Sequence, residues 1–282
     1  MTMNLVLQGP QADPATLMRL AQLANPQRTT HLGAHALRCE GVTFDADLKE
    51  RIDAAAFEAG VDATFIAPGR SLADVGLVAM DMDSTLITIE CIDEIADMQG
   101  LKPQVSEITE AAMRGELDFS ESLKRRVALL AGLDAGALQR VYDERLRISQ
   151  GGEAMLQAVQ AAGIKTLLVS GGFTFFTERL GARLGLDYTH ANVLEVENGK
   201  LTGRVVGGIV DAEEKRCTVE RVCAELGISP SQAVVMGDGA NDLKMMGIAG
   251  LSVAFRAKPV VRAQADVALN FSGLDGLLTI LG

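Results

Sequence analysis

The chain of 282 residues carries 37 acidic against 26 basic side chains, a formal net charge of −11, and 48% of it is hydrophobic. That length supports one large domain, or a large one with a smaller companion. The acidic excess, with no basic stretch to offset it, argues against nucleic acid as a partner, yet it leaves an anionic substrate open because one lysine or a metal ion reverses the field inside a cleft.

Met1 to Leu5 has no basic run ahead of an apolar stretch, and no uncharged apolar run reaches membrane-spanning length. No membrane contact and a cytoplasmic location are therefore expected. Cys39, Cys91, Cys217 and Cys223 are far apart and lack metal-ligand spacing, so they read as small hydrophobes or surface thiols in a reducing compartment.

Residues 1–70 read as a small α+β domain. Strands are expected at Asn4–Gln8, Thr30–Cys39 and Asp62–Ala67, with helices at Pro14–Leu23 and Asp47–Ala59. The turn-rich Ala67–Ser71 reads as a linker, and no catalytic cluster precedes it. A regulatory or dimerising domain and a plain structural appendage both fit this segment.

Leu77–Met80 is a short apolar strand that runs into acidic and hydroxyl residues. Residues 89–149 are helical in character, with breaks near Gly100, Gly115 and Gly132, and form a lid inserted after that strand. Strand-like runs at Ile164–Val169, Ala233–Met236 and Leu251–Phe255 then alternate with helices. Such alternation predicts a parallel sheet covered by helices on both faces. Asn198-Gly199, between Val- and Leu-bearing arms in Ala191–Asp211, predicts a hairpin. The expected fold is α/β, a Rossmann-like parallel core over residues 76–88 and 150–282 with a helical cap over 89–149.

In open α/β sheets ligands gather beyond the carboxyl ends of the strands, and three expected strands end in suggestive loops. Asp81-Met82-Asp83-Ser84-Thr85-Leu86 sets two carboxylates two residues apart, able to share a hard cation, one attacking phosphorus while the other reaches the leaving oxygen. Alone, such a pair is common in surface loops. Ser170-Gly171-Gly172 offers a hydroxyl beside glycine-exposed amides, suited to a phosphate oxygen, though a plain strand-to-helix turn has the same look. Gly237-Asp238-Gly239-Ala240-Asn241-Asp242 packs oxygen ligands into a tight turn of the kind Mg2+ takes. A dinucleotide fingerprint fails here, because the glycine loop is full of negative charge. Lys215, between the second and third loops, is the candidate fixed cation.

Taken together, these loops and the lysine resemble the four motifs of the haloacid dehalogenase superfamily over roughly residues 76–282. The resemblance is closest to a bacterial branch that acts on O-phospho-L-serine and carries an N-terminal ACT-like extension. It implies that Asp81 is the nucleophile and a metal ligand, Asp83 the general acid and base and a further ligand, and Asp238 the last carboxylate on one Mg2+ per active site, with Asp242 in support. Ser170, Gly171, Gly172, Lys215 and Asn241 would hold the phosphate. Glu90 would meet the substrate amine, Arg126 its carboxylate, and Met113 and Phe119 its apolar wall. Opposite charges at Glu90 and Arg126 suit a zwitterion, and arginine binds a carboxylate bidentately; Arg125, next to Arg126, is the rival for that contact. Met82 stands where an aromatic is often found. The implied reaction is Mg2+-dependent hydrolysis of O-phospho-L-serine to L-serine and phosphate through an aspartyl-phosphate, the last step of serine biosynthesis. The alternatives are a phosphatase or phosphotransferase of the same superfamily acting on another small metabolite such as phosphohomoserine, and, farther off, a non-catalytic amino-acid sensor.

Overall fold

The computed structural model describes residues 1–113, the last without its side chain, and 116–282. The chain gathers into two compact units, one of residues 1–78, 150–165 and 227–282, the other of residues 79–149 and 166–226.

The first unit begins with β1 (Thr2–Gln8), a helix Pro14–Ala24, β2 (Arg28–His31), β3 (Ala36–Thr43), a helix Ala46–Glu58 and β4 (Asp62–Ile66). These strands form an antiparallel sheet in the order β2-β3-β1-β4, the ferredoxin-like arrangement of a β-α-β-β-α-β unit. Each helix starts at an aspartate whose carboxylate takes up an orphan amide, Asp13 from Thr16 N–H at 2.9 Å and Asp45 from Leu48 N–H at 2.7 Å. Leu5, Leu7, Leu17, Leu20, Leu37 and Ile52 bury the shared face. The single strand expected over Thr30–Cys39 is instead a hairpin. The chain turns at Leu32–His35, closed by Leu32 N–H to Ala36 C=O at 2.9 Å, with Gly33 at φ +111°. Only glycine enters that region without cost, and the turn lacks the Asn-Gly or Pro signal that would have marked it.

The second unit takes up the chain at the end of β5 (Leu77–Met80), whose four residues are all buried. Helices Cys91–Asp97, Lys102–Met113, Phe119–Ala128 and Gly136–Arg140 follow. Gly100 and Gly132 sit at the expected breaks with φ of +70° and +83°, while Gly115 lies outside the described residues. β6 (Lys165–Phe173) then pairs in parallel with β7 (Tyr188–Glu197), which turns back antiparallel into β8 (Lys200–Val206). Asn198 at φ +51° and Gly199 at φ +77° supply the two left-handed residues such a tight hairpin needs. Helices Thr174–Leu184 and Ala212–Leu226 complete this unit.

Back in the first unit, β9 (Ala233–Gly237), β10 (Leu251–Phe255) and β11 (Val267–Leu269) run parallel in the order β11-β10-β9. β9 and β10 are buried at every residue, as strands covered on both faces must be. The N-terminal sheet is tied to the chain's last residues. Asp62, 1% exposed, accepts the N–H groups of Asn270 (2.7 Å), Phe271 (3.2 Å) and Ser272 (2.8 Å). Gln8 Nε2 donates to Gly276 C=O at 3.0 Å, and Arg38 Nη2 to the carbonyls of Thr279 and Ile280 at 3.2 and 3.1 Å. Among the described residues no helix is long and apolar enough to cross a membrane.

Candidate active site

The buried strand β5 delivers Asp81 at its carboxyl end, 5% exposed. Beyond it the backbone makes a wide turn, with Leu86 N–H returning to Asp81 C=O at 3.3 Å and Ile87 N–H to Met82 C=O at 3.0 Å. Ser84 is left-handed at φ +55°, a conformation that a serine adopts only where its surroundings impose it. Asp81 Oδ1 accepts Met82 N–H at 2.7 Å and lies 2.8 Å from Lys215 Nζ, whose side chain is 1% exposed. Each charge offsets part of the cost of burying the other.

Asp83 accepts Cys91 N–H at 3.1 Å. Burial first, and then the nearby Glu90 carboxylate, push its carboxyl up to about 7, against the lowering effects of the Cys91 hydrogen bond and the Lys215 ammonium. A carboxyl poised near neutrality can both give and take a proton. Met82, between the two aspartates, is fully buried and packs.

Ser170, in the last half of β6, is fully buried, and its Oγ accepts Gly172 N–H at 2.9 Å. A side chain at either following position would displace its neighbours in the site. A Cβ on Gly172 would stand 2.7 Å from Asp83 Oδ2 and 2.8 Å from Met82 Cε, and one on Gly171 would stand 2.9 Å from Phe119 Cζ. The Asp83 carboxylate and the Phe119 ring are thus both brought against this loop. Lys215 rises from the first turn of the helix Ala212–Leu226, which Asp211 starts by accepting the N–H groups of Glu213 and Glu214, each at 2.9 Å. Glu214 meets His190 (Nε2 to Oε1 3.1 Å), and Glu213 meets Arg216.

The adjacent arginines point to different neighbours. Arg125 is exposed and paired with Glu121 one helical turn away, at 2.8 Å. Arg126 is half-buried, with Nε 3.4 Å from Ser122 C=O, and is faced by the carboxylates of Asp93, Glu90 and Asp83. Burial draws its guanidinium below the usual arginine range, and those carboxylates oppose the shift. Glu90 begins the helix Cys91–Asp97, is exposed, and accepts Ser84 Oγ–H at 2.7 Å. Met113 ends its helix, and its side chain lies outside the described residues.

In the first unit, the loop after β9 is built around Asp242. This buried carboxylate accepts the N–H groups of Asp238 (3.1 Å) and Gly239 (3.0 Å), bending the loop back on itself. A Cβ on Gly237 would stand 2.5 Å from the Asp242 carboxylate carbon and 2.6 Å from its Cβ, so a side chain there would push Asp242 out of place, while one on Gly239 would stand 2.2 Å from Asn241 Oδ1 and displace that side chain. Asp238 keeps a partly exposed side chain, while its carbonyl accepts Lys258 N–H at 3.1 Å. Asp238 and Asp242, as carboxylates, offer the hard oxygen donors that Mg2+ takes.

Three residues not singled out in the sequence take part. Asp211 stands ahead of a Glu-Glu pair, a helix-start pattern that could have marked it. Asp93 lies one turn beyond Glu90 on the same helix face, a readable spacing. Asn192, considered below, left no local signal.

Residues 78–247 match the family model of haloacid dehalogenase-like hydrolases. A phosphoserine phosphatase from Polaromonas sp. is 56% identical over 227 residues, 79% of this chain and 96% of the relative. The solved structure of a probable phosphoserine phosphatase from Vibrio cholerae superposes with a TM-score of 0.83 at 37% identity, covering 99% of this chain and 86% of that one. That of a haloacid dehalogenase family hydrolase from Salmonella enterica serovar Typhi reaches 0.89 at 32% identity, covering 99% and 98%. The chain belongs to the haloacid dehalogenase-like hydrolases. Within that family its relatives are the phosphoserine phosphatases.

Proposed function

We propose that this protein hydrolyses O-phospho-L-serine to L-serine and phosphate with Asp81 as nucleophile. The observation that carries the reading is the buried pair of Asp81 and Lys215 at 2.8 Å, with Asp83 held near neutrality beside the Ser170 loop. Lys215 lies against the attacking Asp81 carboxylate and presents its own charge to the phosphoryl oxygens. The Asp81 carboxylate displaces the serine oxygen from phosphorus while protonated Asp83 hands that oxygen its proton. The Asp81 acyl-phosphate is then opened by a water whose proton Asp83 takes, restoring both residues. Ser170, Gly171, Gly172 and Asn241 bind the phosphate oxygens. Arg126, rather than the outward Arg125, receives the substrate carboxylate, Glu90 the ammonium, and Phe119 and Met113 form the wall of the cap over residues 89–149.

Asp81, Asp83 and Asp238 are the residues that would hold Mg2+, with Asp242 bracing the loop of Asp238. When bound, the ion offsets the repulsion between a dianionic phosphate and these carboxylates. Chelation is expected to silence the enzyme and added Mg2+ to restore it; full activity in excess chelator would refute the metal assignment.

A phosphate-release assay on O-phospho-L-serine and a panel of phosphate esters tests the substrate. Arg126→Ala is expected to raise KM for O-phospho-L-serine by about 100-fold while changing KM for a neutral ester by less than about threefold. Equal effects on the two substrates would count against the carboxylate contact.

A further inference from the structure

The ladder between β6 and β7 is broken at one place. Val169 lies opposite His190 and Phe173 opposite Asn192, so β6 takes four residue steps where β7 takes two. The surplus falls on the Ser170-Gly171-Gly172 loop. Backbone lifted off a ladder leaves buried polar groups that need new partners.

Asn192, 1% exposed, supplies one. Its Nδ2 donates to Gly171 C=O at 2.8 Å, and its Oδ1 accepts Val210 N–H at 2.8 Å. Both partners are main-chain groups of fixed polarity, so the amide has one orientation, and neither a carboxylate nor an apolar side chain can make both bonds. Val210 directly precedes Asp211, which caps the helix carrying Lys215. One buried amide therefore joins the phosphate loop to the start of the lysine helix. The gap it spans is narrow, since a Cβ on Gly171 would stand 3.6 Å from Val210 C=O.

We propose that Asn192 is a positioning residue for phosphoryl transfer, holding the Ser170–Gly172 loop and the Lys215 helix at one spacing so that hydroxyl, amides and ammonium act on the same phosphoryl group. The proposal rests on the phosphatase reading above. In the transition state charge is spread over the equatorial oxygens, and donors displaced by a fraction of an ångström lose most of their effect there. The side-chain hydrogen bonds of Asn192 run to Gly171 and Val210, away from the residues proposed to bind the amino acid portion, so ground-state binding of that portion is expected to be kept.

The test uses Asn192→Asp, which retains the acceptor and sets a carboxylate against Gly171 C=O, and Asn192→Ser, which shortens the link. Wild type is first assayed on O-phospho-L-serine and on p-nitrophenyl phosphate. Failure on the first alone removes the substrate assignment and leaves the variants testable on the second; turnover of neither overturns both readings. In folded variants, scored by thermal melting, kcat is expected to fall about 30- to 100-fold with KM within about threefold of wild type. A folded variant with kcat within threefold of wild type, or with KM rising as far as kcat falls, overturns the proposal. So does failure of both variants to fold, which would make Asn192 a folding residue instead.

Discussion

Asp81→Asn is expected to lower kcat on O-phospho-L-serine by at least about 1,000-fold, because an amide cannot form the acyl-phosphate on which both half-reactions depend. The fold should survive the change. The substituted amide oxygen still accepts Met82 N–H and still faces Lys215 Nζ, contacts that Asp81 makes at 2.7 and 2.8 Å. The nucleophile is lost together with one carboxylate of the proposed metal set and the charge opposite buried Lys215, so the variant is expected to fold but to be less stable than wild type. Steady-state kinetics beside circular dichroism decide the matter: turnover within tenfold of wild type, in a sample free of deamidated protein, would remove Asp81 from the role.

Lys215→Met has the second large effect, and it is a double one. The ammonium is buried against Asp81 at 2.8 Å, with side-chain exposures of 1% and 7%. A thioether of similar length fills the space but leaves a buried carboxylate without that partner. Breaking such a pair from one side costs about 3–5 kcal/mol, to be read by denaturant unfolding in the presence of chelator. Activity should fall about 100- to 1,000-fold, since a fixed cation that faces developing charge is lost. Combining the change with Asp81→Asn separates the two effects, because the double variant carries neither charge. It should regain most of the stability and none of the activity. A single variant as stable as wild type would mean that the pair does not govern the charge balance of the site.

The loops of the candidate site were legible because they follow expected strands. Leu77–Met80 marks a buried strand by composition alone, and the acidic residues after it stand where ligands gather. The Gly237–Asp242 loop was legible for the same reason, and Asp242 and Asn241 fold back close against its two glycines. The choice between Arg125 and Arg126 depends on helix phase, which neighbouring identical residues hide; the Glu121–Arg125 spacing was the one clue. The hairpin in residues 28–43 was read as one strand because its turn carries a single glycine among strand-forming residues. β11 is only three residues long and shows no period. Asn192 could not be found by spacing, since its partners lie 21 and 18 residues away and are backbone groups without sequence identity.

The bonds from Asp62, Gln8 and Arg38 to the chain's final residues bear on how the protein is made. They join positions separated by between 208 and 268 residues. A ribosome adding about 5–20 residues per second needs roughly 10–40 s to cover the shortest of those intervals. Throughout that wait the N-terminal sheet has its own core of leucines and Ile52, but the Asp62 carboxylate has none of its three amide donors. The sheet of β1 to β4 is thus made well before the segment that completes its bonds, and a nascent chain halted before residue 270 would leave Asp62 without the amides of residues 270–272.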